Sequence, residues 1–178
     1  MTKGWTLIGI AVVVGLIAIN LTFFTVDQTE RAVVVQLGKP VRVVEKPGLH
    51  FRLPFVQQVI FFERRILTYD AAPAEVLTED KKNLVVDNYA KWKIVNPLRF
   101  YQTVRNVSGA QTRLDDIIYS EIRVELGVHS LNQILSETRE QVMRNVTGKT
   151  DKVAEAYGIE VIDVRIKRAD LPAQNEQA

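Results

Sequence analysis

Three regimes of hydrophobic patterning divide the chain. The first is unbroken: from Gly4 to Val26 no charged residue occurs. Its core, Trp5 to Phe24, would be roughly 30 Å long as a helix, the thickness of a bilayer's hydrocarbon region. A signal-peptide core is shorter, about 7–15 residues, and Ile17-Ala18-Ile19-Asn20-Leu21 lacks the small-x-small pattern of a cleavage site. The spacing therefore predicts a short tail and an uncleaved transmembrane anchor over residues 1–26. Ala11, Gly15, Ala18 and Thr22 fall at intervals of four, three and four. They form one small-residue stripe, the kind that lets membrane helices approach closely.

The second regime alternates over short stretches. Arg31–Leu37 is rich in β-branched residues and runs into a turn signal at Gly38-Lys39-Pro40. Val41–Val44 reads as a second strand, with a turn at Glu45-Lys46-Pro47-Gly48. Leu49–Phe55 alternates partly, and Pro54 confines it to an edge or a kink. A dense apolar patch follows at Val59–Phe62. The clearest strand is Asn83–Val95, with Leu84, Val86, Ala90, Trp92 and Ile94 on one face and Asp87, Tyr89, Lys91 and Lys93 on the other.

The third regime has helical periodicity. Pro97–Val104 is a short helix opened by proline. Ser108 and Gln111 have capping-box spacing, and Leu114, Ile117, Ile118, Ile122 and Leu126 recur at a period near 3.6 up to Gly127. A turn of helix at Ser130–Leu135 leads to a helix over Glu137–Tyr157 with Val142, Val146, Val153 and Tyr157 inward, closed by Gly158 as a left-handed cap. A final strand, Ile159–Arg168, precedes Asp170-Leu171-Pro172. The order predicts an α+β fold with a mixed, mainly antiparallel sheet and packed helices behind the transmembrane helix.

Composition removes several function classes. Of 178 residues 47% are hydrophobic and 25% charged, enough for one core. The net charge of +2 gives no electrostatic footprint for nucleic acid. There is no cysteine, so disulfides, thiolate metal sites and cysteine nucleophiles are excluded. His50 and His129 have no second ligand at metal spacing. Ser108, Ser130 and Ser136 precede helical stretches and read as caps, and Ser120 lies inside a helix. Asp115, Asp116, Glu121 and Glu125 interleave with the apolar face of one helix and read as a solvated face. No catalytic residue, metal ligand or cofactor emerges. Phe51, Phe55, Phe61 and Phe62 are candidates for core packing or for burial among lipid headgroups. Arg165, Lys167 and Arg168 are a candidate subunit contact. Lys3 on one side of the anchor and Arg31, Lys39 and Arg42 on the other leave its orientation open.

Several motifs together resemble one family. Pro47-Gly48-Leu49-His50-Phe51-Arg52-Leu53-Pro54-Phe55 and the strand Thr78–Asp87 resemble signatures of the stomatin/prohibitin/flotillin (SPFH, Band 7) family. Tyr89–Ile94 and Val164–Pro172 look like its bacterial HflC-like branch. The resemblance implies an SPFH domain over residues 27–172 and a non-catalytic membrane scaffold. It implies pairing with an HflK-like homologous subunit into a hetero-oligomeric ring or cage around an FtsH-like membrane AAA protease, whose proteolysis of membrane proteins the assembly regulates. It implies a single-pass protein of the bacterial inner membrane, N-terminus cytoplasmic and SPFH domain periplasmic, with no cofactor. HflC-like proteins continue into a long C-terminal coiled coil, so residues 173–178 are expected to begin that helix and the chain to be a fragment. A membrane-bound hydrolase or peptidase and a lipid-organising module are the alternatives.

Overall fold

The computed structural model describes residues 9, 12, 13, 15, 19–130, 132 and 139–170. The chain forms two compact units, Met1–Arg64 and Arg65–Ala178. Among the described residues no helix is long and apolar enough to cross a membrane. Most of the expected anchor, including Ala11 and Ala18, lies outside the described residues. Gly15 and Thr22 are helical, and a side chain at Gly15 would meet nothing within 4 Å.

In the first unit, helical backbone at 19–22 gives way to strand β1, Phe23–Val26. Strand backbone thus begins at Phe23, inside the segment expected as the anchor. Val26 leaves the helix because it packs into a core with Ala32, Val34 and Val44. β1 pairs antiparallel with β4, Gly48–Phe51, placing Phe23 opposite Phe51 and Val26 opposite Gly48. A second sheet has the order β3-β2-β5, with β2 at Glu30–Gln36, β3 at Lys39–Val44 and β5 at Gln57–Glu63. β2 is buried without alternation from Ala32 through Val35, so both faces of this strand are covered. The hairpin turn is tighter than expected, since Lys39 and Pro40 already belong to β3. Leu37 and Gly38 both take positive φ (49° and 81°), as a two-residue type I′ loop requires. Pro40 is tolerated because β3 is an edge strand. β4 stops at Phe51, short of the expected Phe55.

The second unit is built on β8, Asn83–Ile94. One side of β8 pairs with β6, Leu67–Asp70, and β7, Ala74–Leu77, two short segments that the sequence pattern did not mark. The other side pairs with β9, Ile159–Asp170. The inward face of β8 is as expected, with the addition of fully buried Asn88. β9 carries two extra residues against β8, Ile162 and Lys167, at the register shifts beside Trp92 and Asn88. Every described ladder is antiparallel, in keeping with the α+β expectation.

Three helices stand out among the described residues of this unit. Helix α1, Pro97–Thr103, is capped by the Asn96 side chain, which accepts from the Arg99 N–H at 3.0 Å. Its Phe100 is buried and stacks on Trp92 with ring centroids 6.2 Å apart. Helix α2, Val107–Leu126, is capped by Asn106 accepting from the Gly109 N–H at 2.8 Å. Ser108 therefore lies inside the first turn and is not the cap. All five expected apolar residues of α2 are buried. Helix α3, Arg139–Ala154, buries Val142, Met143, Val146, Thr150 and Ala154, then tightens into a 3-10 turn at Glu155–Tyr157. Val153 and Tyr157 do not share the inward stripe, because the steps of four from Val142 lead through Thr150 to Ala154. The expected turn at Ser130–Leu135, Ser136 and the expected start at Glu137 fall mainly outside the described residues.

Side chains of α3 seal the outer edge of β9. Asp151 accepts the Val161 N–H at 2.8 Å, Thr147 accepts the Val164 N–H at 3.0 Å, and Arg139 donates to the Ile166 carbonyl at 2.7 Å. An edge strand otherwise offers such groups to another chain.

Candidate lipid and partner interface

One end of the first unit gathers exposed apolar residues. The β2–β5 register sets Gln36 opposite Gln57, so the β2–β3 hairpin tip and the β4–β5 loop lie together. The Gln57 side chain ties them. Its Nε2 donates to Gln36 Oε1 at 3.0 Å and its Oε1 accepts the Leu53 N–H at 3.0 Å. At the two tips stand Leu37, 85% exposed, and Phe55, 97% exposed. Phe55 also has positive φ, at 66°. A large apolar side chain in the left-handed region costs of order 1 kcal/mol per residue, and neither tip recovers that by burial. The helical turn at 19–22 meets the same end, where the Arg52 N–H donates to the Thr22 carbonyl at 2.7 Å and Arg52 Nε to the Leu21 carbonyl at 3.2 Å.

The four phenylalanines separate in this frame. Phe62 is 5% exposed and belongs to the core. Phe61 is 42% exposed and meets Phe24 edge-on at 6.2 Å. Phe51 is 58% exposed beneath the Arg42 guanidinium, 5.0 Å from the ring centroid, and Arg42 also donates to the Phe51 carbonyl at 2.6 Å. Phe55 touches least of all. The sequence singled out the cluster and could not divide it, because burial depends on which strand turns which side chain inward.

The basic run at the end of β9 is internally neutralised. Arg165 Nε donates to both oxygens of Asp163 at 3.0 Å, and this hydrogen bonding raises its pKa. Lys167, one of the bulged residues, bonds Asp70 and approaches Asp87 at 3.6 Å; its pKa is raised chiefly by the Asp70 hydrogen bond. Arg168 pairs with Asp170 at 3.5 Å. Lys82 likewise pairs with Asp80 at 3.5 Å.

The acidic residues of α2 do not form one solvated face. Glu125 is buried and accepts from Asn145 Nδ2 and Lys149 Nζ, each at 2.7 Å. Burial alone would raise its pKa; the Lys149 and Asn145 hydrogen bonds outweigh it, and the net direction is down. Its backbone carbonyl takes His129 Nδ1 at 2.7 Å. His50 Nε2 bonds the Lys46 carbonyl at 2.9 Å. Asp115 accepts the Tyr69 hydroxyl at 2.5 Å, and burial, then this bond, push the Tyr69 pKa well up. Asp115, Asp116, Tyr119, Ser120 and Arg123 line an open cleft of about 390 Å³ with Ala72–Ala74. No histidine lines that cleft, so Ser120 lacks a neighbouring imidazole base. Among the described residues no group of three metal-ligating side chains comes together.

Comparison of the chain with known proteins gives its class. It belongs to the SPFH domain / Band 7 family, whose model matches residues 24–178. Within it the chain is similar to Protein HflC of Buchnera aphidicola, 32% identical over 90% of this chain and 59% of that protein. It is similar to Protein HflC of Haemophilus influenzae, 38% identical over 73% of this chain and 46% of that protein. It is also similar to the Modulator of FtsH protease HflC of Escherichia coli, 28% identical over 94% of this chain and 64% of that protein. The chain thus spans less than two thirds of the length of these relatives.

Proposed function

We propose that the chain is the membrane-proximal part of a non-catalytic scaffold subunit that regulates an FtsH-like membrane AAA protease. The observation that carries this reading is the similarity of 94% of the chain to a protein named as a modulator of that protease. Residues 1–26 supply a short tail and the anchor up to its junction with β1, with Ala11, Gly15, Ala18 and Thr22 as a helix-packing stripe. Residues 27–172 act as the SPFH domain, and residues 173–178 begin a C-terminal helix. An HflK-like homologous subunit pairs with this one in a ring or cage at the bacterial inner membrane. The N-terminus is cytoplasmic and the folded units periplasmic. The wall so formed acts sterically, limiting which membrane proteins reach the protease.

The apolar end supports membrane seating. Phe51, Phe55 and Phe61 face lipid and Phe62 stays in the core. Arg165, Lys167 and Arg168 serve as a subunit contact only if the partner's carboxylates displace Asp163, Asp70 and Asp170. Such an exchange of partners gives register specificity more than affinity. The test is extraction of the chain, extended to the length of its relatives, in mild detergent. Co-purification of the HflK-like subunit and the protease is expected. A monomer with neither partner, or peptidase activity lost on Ser120→Ala, overturns the scaffold reading.

A further inference from the structure

The loop bearing Phe55 closes a cleft of about 220 Å³ lined by Leu21, Arg52, Pro54, Phe55, Gln57 and Gln58. Its polar groups divide into used and unused. Gln57 uses both ends of its amide to tie the two loop tips together. Arg52 gives its backbone N–H and its Nε–H to the Thr22 and Leu21 carbonyls. Carbonyls at a helix's end lack partners within the helix, and a cation there is favoured by the helix dipole. The Nε bond orients the guanidinium at the helix end. The Nη groups of Arg52 and the side-chain amide of Gln58 have no partner among the described residues. Leu21, Pro54 and Phe55 form apolar walls beside these donors.

An oriented guanidinium with free Nη hydrogens suits a phosphate, which takes two parallel N–H bonds. The apolar walls are wasted on a free phosphate and suit one attached to a glycerol and acyl chains. Location agrees: the cleft opens where the uncharged run from Gly4 to Val26 meets the folded unit. We infer that this cleft holds the phosphodiester of a membrane phospholipid. The Arg52 Nη groups and the Gln58 amide donate to its oxygens, and Leu21 and Phe55 flank the glycerol. The inference rests on the anchor reading above, which puts the cleft at headgroup depth.

The test uses the full chain in phosphatidylcholine nanodiscs, released into the gas phase for native mass spectrometry, with the fraction retaining one phospholipid as readout. Arg52→Gln is expected to lower retention at least about tenfold, because it removes the charge and the Nη hydrogen bonds to the phosphate. Gln58→Glu puts a carboxylate in the cleft without touching the Arg52 bonds to the helix end and is expected to lower it as much, which covers an Arg52 variant that misfolds. Arg64→Gln, outside the cleft, is expected to leave it unchanged. Retention equal in wild type and Gln58→Glu sinks this inference alone. Displacement of the lipid by millimolar inorganic phosphate reassigns the site to the free ion and sinks it too. Failure of the chain to co-elute with nanodiscs removes the anchor reading and this one together.

Discussion

Gly158 ties together three pieces of the second unit, and Gly158→Ala should unfold that unit readily. The residue sits at φ 74°, where an added side chain costs roughly 1–2 kcal/mol. An alanine Cβ would lie 2.5 Å from the Asn96 carbonyl oxygen and 3.0 Å from the Phe100 nitrogen. Both are backbone atoms and cannot rotate aside. Relief requires Asn96 to move, yet Asn96 caps α1 through its side chain and gives its own N–H, with that of Val95, to the Gly158 carbonyl. Loosening the cap costs about 1 kcal/mol more. The total is about 3 kcal/mol, or roughly a hundredfold in the folding equilibrium. Urea unfolding followed by Trp92 fluorescence reads this directly, because Trp5→Phe leaves Trp92 as the sole tryptophan. With a slope of about 1–3 kcal/mol per molar, the midpoint should fall by roughly 1–3 M. Gly148→Ala is the control of opposite sign: it lies in exposed helix with nothing within 4 Å of the added carbon, and should stabilise by ~0.5–1 kcal/mol. A Gly158→Ala midpoint within about 0.3 M of the parent, or the two variants shifting in the same direction, refutes the reasoning.

Four further outcomes are expected. Glu125 has a depressed pKa, so its contribution is fully present above the ordinary glutamate value of 4.5 and is lost as pH falls through the lower folded value. Glu125→Gln should therefore cost about 1–2 kcal/mol at pH 7, and the gap to wild type should close below pH 4.5; a pH-independent gap in urea titrations counts against it. Asn106→Ala removes the α2 cap and should cost about 1 kcal/mol in the same assay, whereas Ser108→Ala should cost much less. Ile122→Ala, at a fully buried site, should cost about 2–5 kcal/mol. Phe55→Gly should stabilise the fold by about 1 kcal/mol through relief of its positive φ while weakening vesicle binding; a loss of stability would show that Phe55 packs after all.

Where each residue's environment was set by near neighbours, the sequence alone determined the outcome. The alternation of β8 and the apolar period of α2 needed only a repeat of two or 3.6 facing one core, and both stand residue for residue. Gly158 was readable because only glycine sits easily at a left-handed helix end. The family motifs also needed no coordinates. What the tertiary structure decided depended on partners distant in the chain. Phe23–Val26 reads as membrane helix until β4 pairs with it, and apolar content is the same in either state. β6 and β7 are too short to show a period and exist because β8 holds them. Glu125 looks solvated on its own helix and is buried by α3, which brings Asn145 and Lys149 to its carboxylate. The four phenylalanines are one residue type in three environments, since a loop tip, a strand face and a core differ only in what folds against them. Local pattern is a property of the chain; burial is a property of pairs, and most of the pairs that matter here are far apart in sequence.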